Sequence, residues 1–111
     1  MTVKELSEKL NLKIVGGAEG IANEITGGYT SDLLSDVIGR AEQGNVWITL
    51  QTHKNVMAIA SLKELSCVVI VNGLEPAEDM LAQSNEENIP VLVTTESTFK
   101  VTGRIFSLIN Q

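Results

Sequence analysis

The sequence predicts an α/β fold, a mainly parallel sheet with helices on both faces, as a single domain over residues 1–111. Three observations carry this expectation. Val46-Trp47-Ile48-Thr49-Leu50, Cys67-Val68-Val69-Ile70-Val71 and Val91-Leu92-Val93-Thr94 are short β-branched runs, and nearly unbroken apolar strands belong to parallel sheets covered on both sides. Between them lie stretches of helical character near residues 54–65 and 77–88, an alternation that generates βαβ units with right-handed crossovers. At 111 residues and 12.0 kDa the chain fits one core, since two would each be very small.

The remaining elements follow in order. Thr2-Val3-Lys4-Glu5 has the form of a capping box, and Val3, Leu6 and Leu10 then share a helical face, so a short helix is expected over residues 2–11. A brief strand at 13–15 ends at Gly16-Gly17, and 18–23 reads as loop. Residues 24–29 can extend, with Gly27-Gly28 suggesting a bulge or a close backbone approach. Leu33, Leu34, Val37, Ile38 and Ala41 repeat at helical spacing after two cap-type residues, Ser31-Asp32, and before Gly44. The last helix is expected from 97 to 110, with Val101, Ile105, Leu108 and Ile109 on one side and Phe99 and Phe106 displaced around it. An apolar stripe wider than one face points to a second partner.

Composition narrows the function. With 43% hydrophobic residues the chain can fill a core, which argues against general disorder. Eight Lys and Arg against 14 Asp and Glu give a net charge of -6, which repels a phosphate backbone at long range and disfavours nucleic-acid binding. Apolar runs fall far short of the roughly 20 residues that span a bilayer, so no membrane role is expected. The N-terminal segment lacks the apolar run of a signal peptide, and a cytoplasmic location is the default expectation. The single cysteine, Cys67, lies in an apolar run, where burial as a small hydrophobe is its expected role.

Ligands of open parallel sheets bind beyond the carboxyl ends of the strands. The residues expected there are Gly28, Thr30, Ser31 and Asp32; Gln51, Thr52, His53 and Lys54; Asn72 and Gly73; and Thr94 and Thr95. Their hydroxyl and amide groups can orient a small polar ligand, and Lys54 adds a positive end. The same Ser, Thr, Asn and Asp residues also serve as helix caps, which is the competing structural explanation. His53 is the only histidine, so acid–base work is conceivable, yet no nearby activated nucleophile is visible. One His and one Cys are too few for a zinc site, no phosphate-loop or dinucleotide glycine pattern is present, and no cofactor is expected. Asn72-Gly73 has the composition of a hairpin turn, but the helix expected after Pro76 makes it a strand-to-helix connection.

Four blocks in order resemble the DRTGG domain family, which is similar to the N-terminal domain of HPr kinase/phosphorylase. They are residues 28–37 (Gly-Tyr-Thr-Ser-Asp-Leu-Leu-Ser-Asp-Val), 47–53 (Trp-Ile-Thr-Leu-Gln-Thr-His), 71–76 (Val-Asn-Gly-Leu-Glu-Pro), and 89–94 (Ile-Pro-Val-Leu-Val-Thr) with Thr98-Phe99. The resemblance implies an α/β sandwich-like domain that dimerises, standing alone or appended to enzymes such as CBS-domain pyrophosphatases and phosphotransacetylases, with no catalytic residues to carry over. The chain departs where the family's name arises: Thr52-His53-Lys54 stands in place of Asp-Arg-Thr, and Asn72-Gly73 partly replaces Thr-Gly-Gly.

Three functions compete. The first is a non-catalytic regulatory module, homodimeric, that binds a nucleotide or phosphorylated metabolite at the strand ends. The second is an assembly module that docks a partner enzyme or a second copy through its C-terminal helix. The third is a small hydrolase using His53.

Overall fold

The computed structural model describes residues 1–110. Its elements are α1 (Val3–Leu10), β1 (Lys13–Gly16), a 3-10 turn (Ala18–Gly20), β2 (Gly27–Thr30), α2 (Leu34–Arg40), β3 (Asn45–Thr49), α3 (Asn55–Leu62), β4 (Cys67–Ile70), α4 (Glu78–Glu87), β5 (Val91–Val93) and α5 (Thr98–Ile109). The five strands form one sheet in the order β1-β5-β4-β3-β2. From β2 to β5 the pairing is parallel, and only β1 runs antiparallel, against β5. The mainly parallel sheet predicted from the apolar runs is therefore present.

Side-chain alternation along the central strands divides the interior into two layers. Trp47, Val68, Ile70 and Val91 point toward α2, α3 and α4, where they meet Val37, Met57, Ala60 and Met80. Val46, Ile48, Cys67, Val69 and Leu92 point the other way, toward Leu6 and Leu10 of α1 and Val101 and Ile105 of α5. Both layers are buried, which is why β3, β4 and β5 read as unbroken apolar runs. Trp47 is wholly buried and satisfies its indole N–H on the Ser31 carbonyl at 2.8 Å.

Local chemistry behaves as expected at the first helix, where Thr2 Oγ1 accepts from the Glu5 amide and Glu5 accepts from the Thr2 amide, a complete capping box. Four expectations need correction. No bulge occurs at Gly27-Gly28, which pair in regular register with Asn45 and Val46; the irregularity lies in β1, between Ile14 and Gly16. Ser31-Asp32 do not cap α2 by the usual route: Leu33 holds the cap position, and Asp32 turns back to accept from Thr49 Oγ1 and the Leu50 amide. Gly44 does not close α2, which ends at Arg40, because Ala41 is already extended. Part of the segment read as loop at 18–23 winds into the 3-10 turn.

Candidate functional site

Parallel strands send their chains toward helices on one face or the other, and a crevice opens where neighbouring connections diverge. Here that point lies between β4 and β5. After β4 the chain goes to α4, packed in the first layer; after β5 it goes to α5, packed in the second. A cleft of about 740 Å³ sits at this divergence. Its walls combine apolar Leu10, Val15, Leu81 and Val93 with polar Thr94 and Thr95 and the charged Lys13, Glu75, Glu96 and Arg104.

Backbone turns hold the mouth open. Asn72 and Gly73 both adopt left-handed conformations, at φ 61° and 71°, and the Leu74 amide closes onto the Val71 carbonyl at 3.3 Å. This is the Asn-Gly pairing that a primed turn requires, used in a strand-to-helix connection, as the helix after Pro76 implied. The turn is pinned to the neighbouring loop: the Asn72 amide donates to the Glu96 carbonyl at 2.8 Å and the Gly73 amide to the Thr94 carbonyl at 2.9 Å. Thr94 Oγ1 in turn accepts from the Glu96 amide.

Charge in the cleft is balanced and cross-linked. The Arg104 guanidinium on α5 pairs through Nη1 with Glu96 and donates from Nη2 to the Leu10 carbonyl at 3.4 Å. The Leu10 carbonyl ends α1, where a cation meets the negative end of the helix dipole. Lys13 enters from the far side, because antiparallel β1 sets it in register with Val93.

The residues expected from sequence separate into three places. Gly73, Thr94 and Thr95 line the cleft, with Asn72 in its supporting turn. Gly28 and Thr30 line a smaller cavity of about 280 Å³ between β2 and α5, where Thr30 and Thr102 share a hydrogen bond of 3.0 Å. Ser31, Asp32, Gln51, Thr52, His53 and Lys54 form the rim beyond β2 and β3, where the hydrogen bonds close on one another. Gln51 Nε2 donates to the Asp32 carbonyl at 2.9 Å, so Gln51 Oε1 faces His53 Nε2 at 3.0 Å. Nδ1 is buried with no hydrogen-bond partner among the described residues. The Thr52 carbonyl accepts from the Ala77 amide at 2.8 Å, tying this rim to the start of α4. Gln51 thus ties the imidazole to the Asp32 backbone. Lys54 is exposed and stands at the start of α3.

Sequence reasoning missed Lys13 and Arg104. One opens a strand that pairs against the grain of the sheet, and the other lies on a helix that crosses the opposite face. Neither relation has a local signature. Among the described residues, no group of three or more His, Cys, Asp or Glu side chains gathers as a metal site, and no helix is long and apolar enough to cross a membrane.

The model of the DRTGG domain matches residues 5–108. The chain belongs to the DRTGG domain family. A crystal structure of the CBS and DRTGG domains of the regulatory region of Clostridium perfringens pyrophosphatase, complexed with its activator diadenosine tetraphosphate, is similar in fold. The TM-score is 0.73 at 13% identity, with 95% of this chain covered and 45% of that one. The DRTGG domain described here thus spans less than half the length of that neighbour, and at this identity the likeness is one of fold. Within the DRTGG domain, the sheet order and the divergence of the β4 and β5 connections are the features that create the cleft.

Proposed function

We propose that this DRTGG domain is a non-catalytic regulatory module that binds a small polar metabolite or nucleotide at the carboxyl ends of its strands. The carrying observation is the cleft at the β4–β5 divergence, which pairs apolar walls with Lys13, Arg104, Thr94 and Thr95. Small-molecule sites have this construction, in this size range, at this place in open α/β sheets. Family membership and a fold neighbour that is the regulatory region of an enzyme, complexed with a nucleotide activator, support the reading. Its natural setting is the cytoplasm, beside an enzyme whose activity it adjusts.

Thermal-shift screening with nucleotides and phosphorylated metabolites tests this, because a ligand bound only to the native state raises apparent stability. A midpoint that climbs with ligand concentration supports the module. No stabilisation by any compound at millimolar concentration defeats it.

A second reading, assembly through α5, is favoured by one observation: Phe99 and Phe106 are 88% and 68% exposed. A homodimer or a partner enzyme covering them would remove that apolar surface from water.

A further inference from the structure

Resting on the cleft as the ligand site, we propose that its ligand is an apolar or aromatic ring system carrying a single phosphate, and that Arg104 exchanges Glu96 for that phosphate. A guanidinium fork fits a carboxylate and a phosphate with the same geometry. The Glu96 carboxylate holds one arm of that fork, Nη1, as a tethered stand-in for an anionic group, while Nη2 turns to the Leu10 carbonyl. Both partners are partly open, at 41% and 32% exposure, so a ligand entering the cleft reaches them without breaking the core. Lys13 supplies a second cation on the same lining, and Leu10, Val15, Leu81 and Val93 supply the apolar surface for the ring.

The charge balance favours a ligand with one phosphate over one with several. Lys13 and Arg104 are matched in the lining by Glu75 and Glu96, on a chain of net charge -6. Freeing Arg104 accommodates one anionic group; each further phosphate meets a carboxylate and the field of an acidic protein. A purely structural role for Arg104, clamping α5 to the end of α1 through the Leu10 carbonyl, makes a different forecast. It ties both partners of the ion pair to stability and neither to ligand affinity.

Calorimetric titration of the full chain with AMP, ATP, adenosine and inorganic phosphate separates these. The expected order places AMP above adenosine and phosphate alone, and above ATP. Arg104→Ala weakens AMP by about tenfold or more while leaving adenosine unchanged, since a hydrogen-bonded charge pair is lost. Arg104→Lys, which keeps the charge and loses the fork, gives a smaller loss and serves where the alanine variant does not fold. Glu96→Gln acts in the opposite direction and tightens AMP, because the competing carboxylate is gone. AMP affinity untouched by both Arg104 variants, weakened by Glu96→Gln, or below that of ATP overturns the exchange while leaving the ligand site standing. A wild-type chain that takes none of these probes overturns the monophosphate proposal, and the ligand site falls with it only if the wider thermal-shift screen also finds no stabilising compound.

Discussion

Two glycines in this chain have opposite reasons to be glycine. A Cβ added to Gly20 would run into the Asn88 carbonyl and against Pro90, so the 3-10 turn can approach the α4–β5 connection only without a side chain. A Cβ on Gly103, in the middle of α5, meets nothing within 4 Å. Glycine inside a helix is less favourable than alanine by roughly 0.5–1 kcal/mol. Gly103→Ala should therefore stabilise by about that amount, and Gly20→Ala should destabilise by more than about 1 kcal/mol; urea denaturation midpoints at constant slope measure both. Cys67 gives a pH prediction. Complete burial pushes its thiol up from 9.0 to about 12, so above pH 9 the unfolded chain releases a proton that the folded chain keeps. Stability must then fall as pH rises, by up to about 1.4 kcal/mol per pH unit until the folded thiol also ionises. Chemical denaturation at pH 8 and pH 10 should show the decline, and Cys67→Ala should flatten it.

Helices in this domain are fixed at their ends by different means. Ser97 caps α5 by accepting from the Lys100 amide at 3.3 Å, whereas Ala77, before α4, makes no side-chain cap. Ser97→Ala should cost about 1 kcal/mol, read as a lower thermal midpoint with an unchanged fold by circular dichroism. The parallel strands were legible in the sequence because burial on both faces writes itself as a continuous apolar run, visible without knowing any partner. The start of α2 differs from the expectation because Asp32 has two uses for its carboxylate. Capping its own helix is a local choice, but the Thr49 hydroxyl and Leu50 amide, brought alongside by the β2–β3 pairing, capture it instead. Of the bulge and the close backbone approach that Gly27-Gly28 allow, the bulge is absent, because both residues pair in regular register with β3.

For the molecule as a whole, the exposed aromatic surface lies on α5. Its inner side, Val101 and Ile105, is buried against the sheet, while Phe99 and Phe106 stand on the outer side. If α5 forms a homodimer interface, light scattering over a range of concentrations should give twice the chain mass. Phe106→Glu should then return the mass of a monomer by placing a charge in an apolar contact. A monomer at every concentration removes self-association through this face.

The amino-acid order alone determined the class of fold, the parallel strands and the polar character of the connections after them, since each follows from side chains near one another along the chain. It also singled out Gly73, Thr94 and Thr95, which line the cleft. Only the tertiary structure decided which connections share a cleft and which charges face it. Lys13 reaches that cleft because β1 pairs antiparallel to β5, and Arg104 because α5 packs on the face opposite α4. Such neighbours are made by sheet order and crossover direction, and these long-range pairings leave no periodic mark in the sequence.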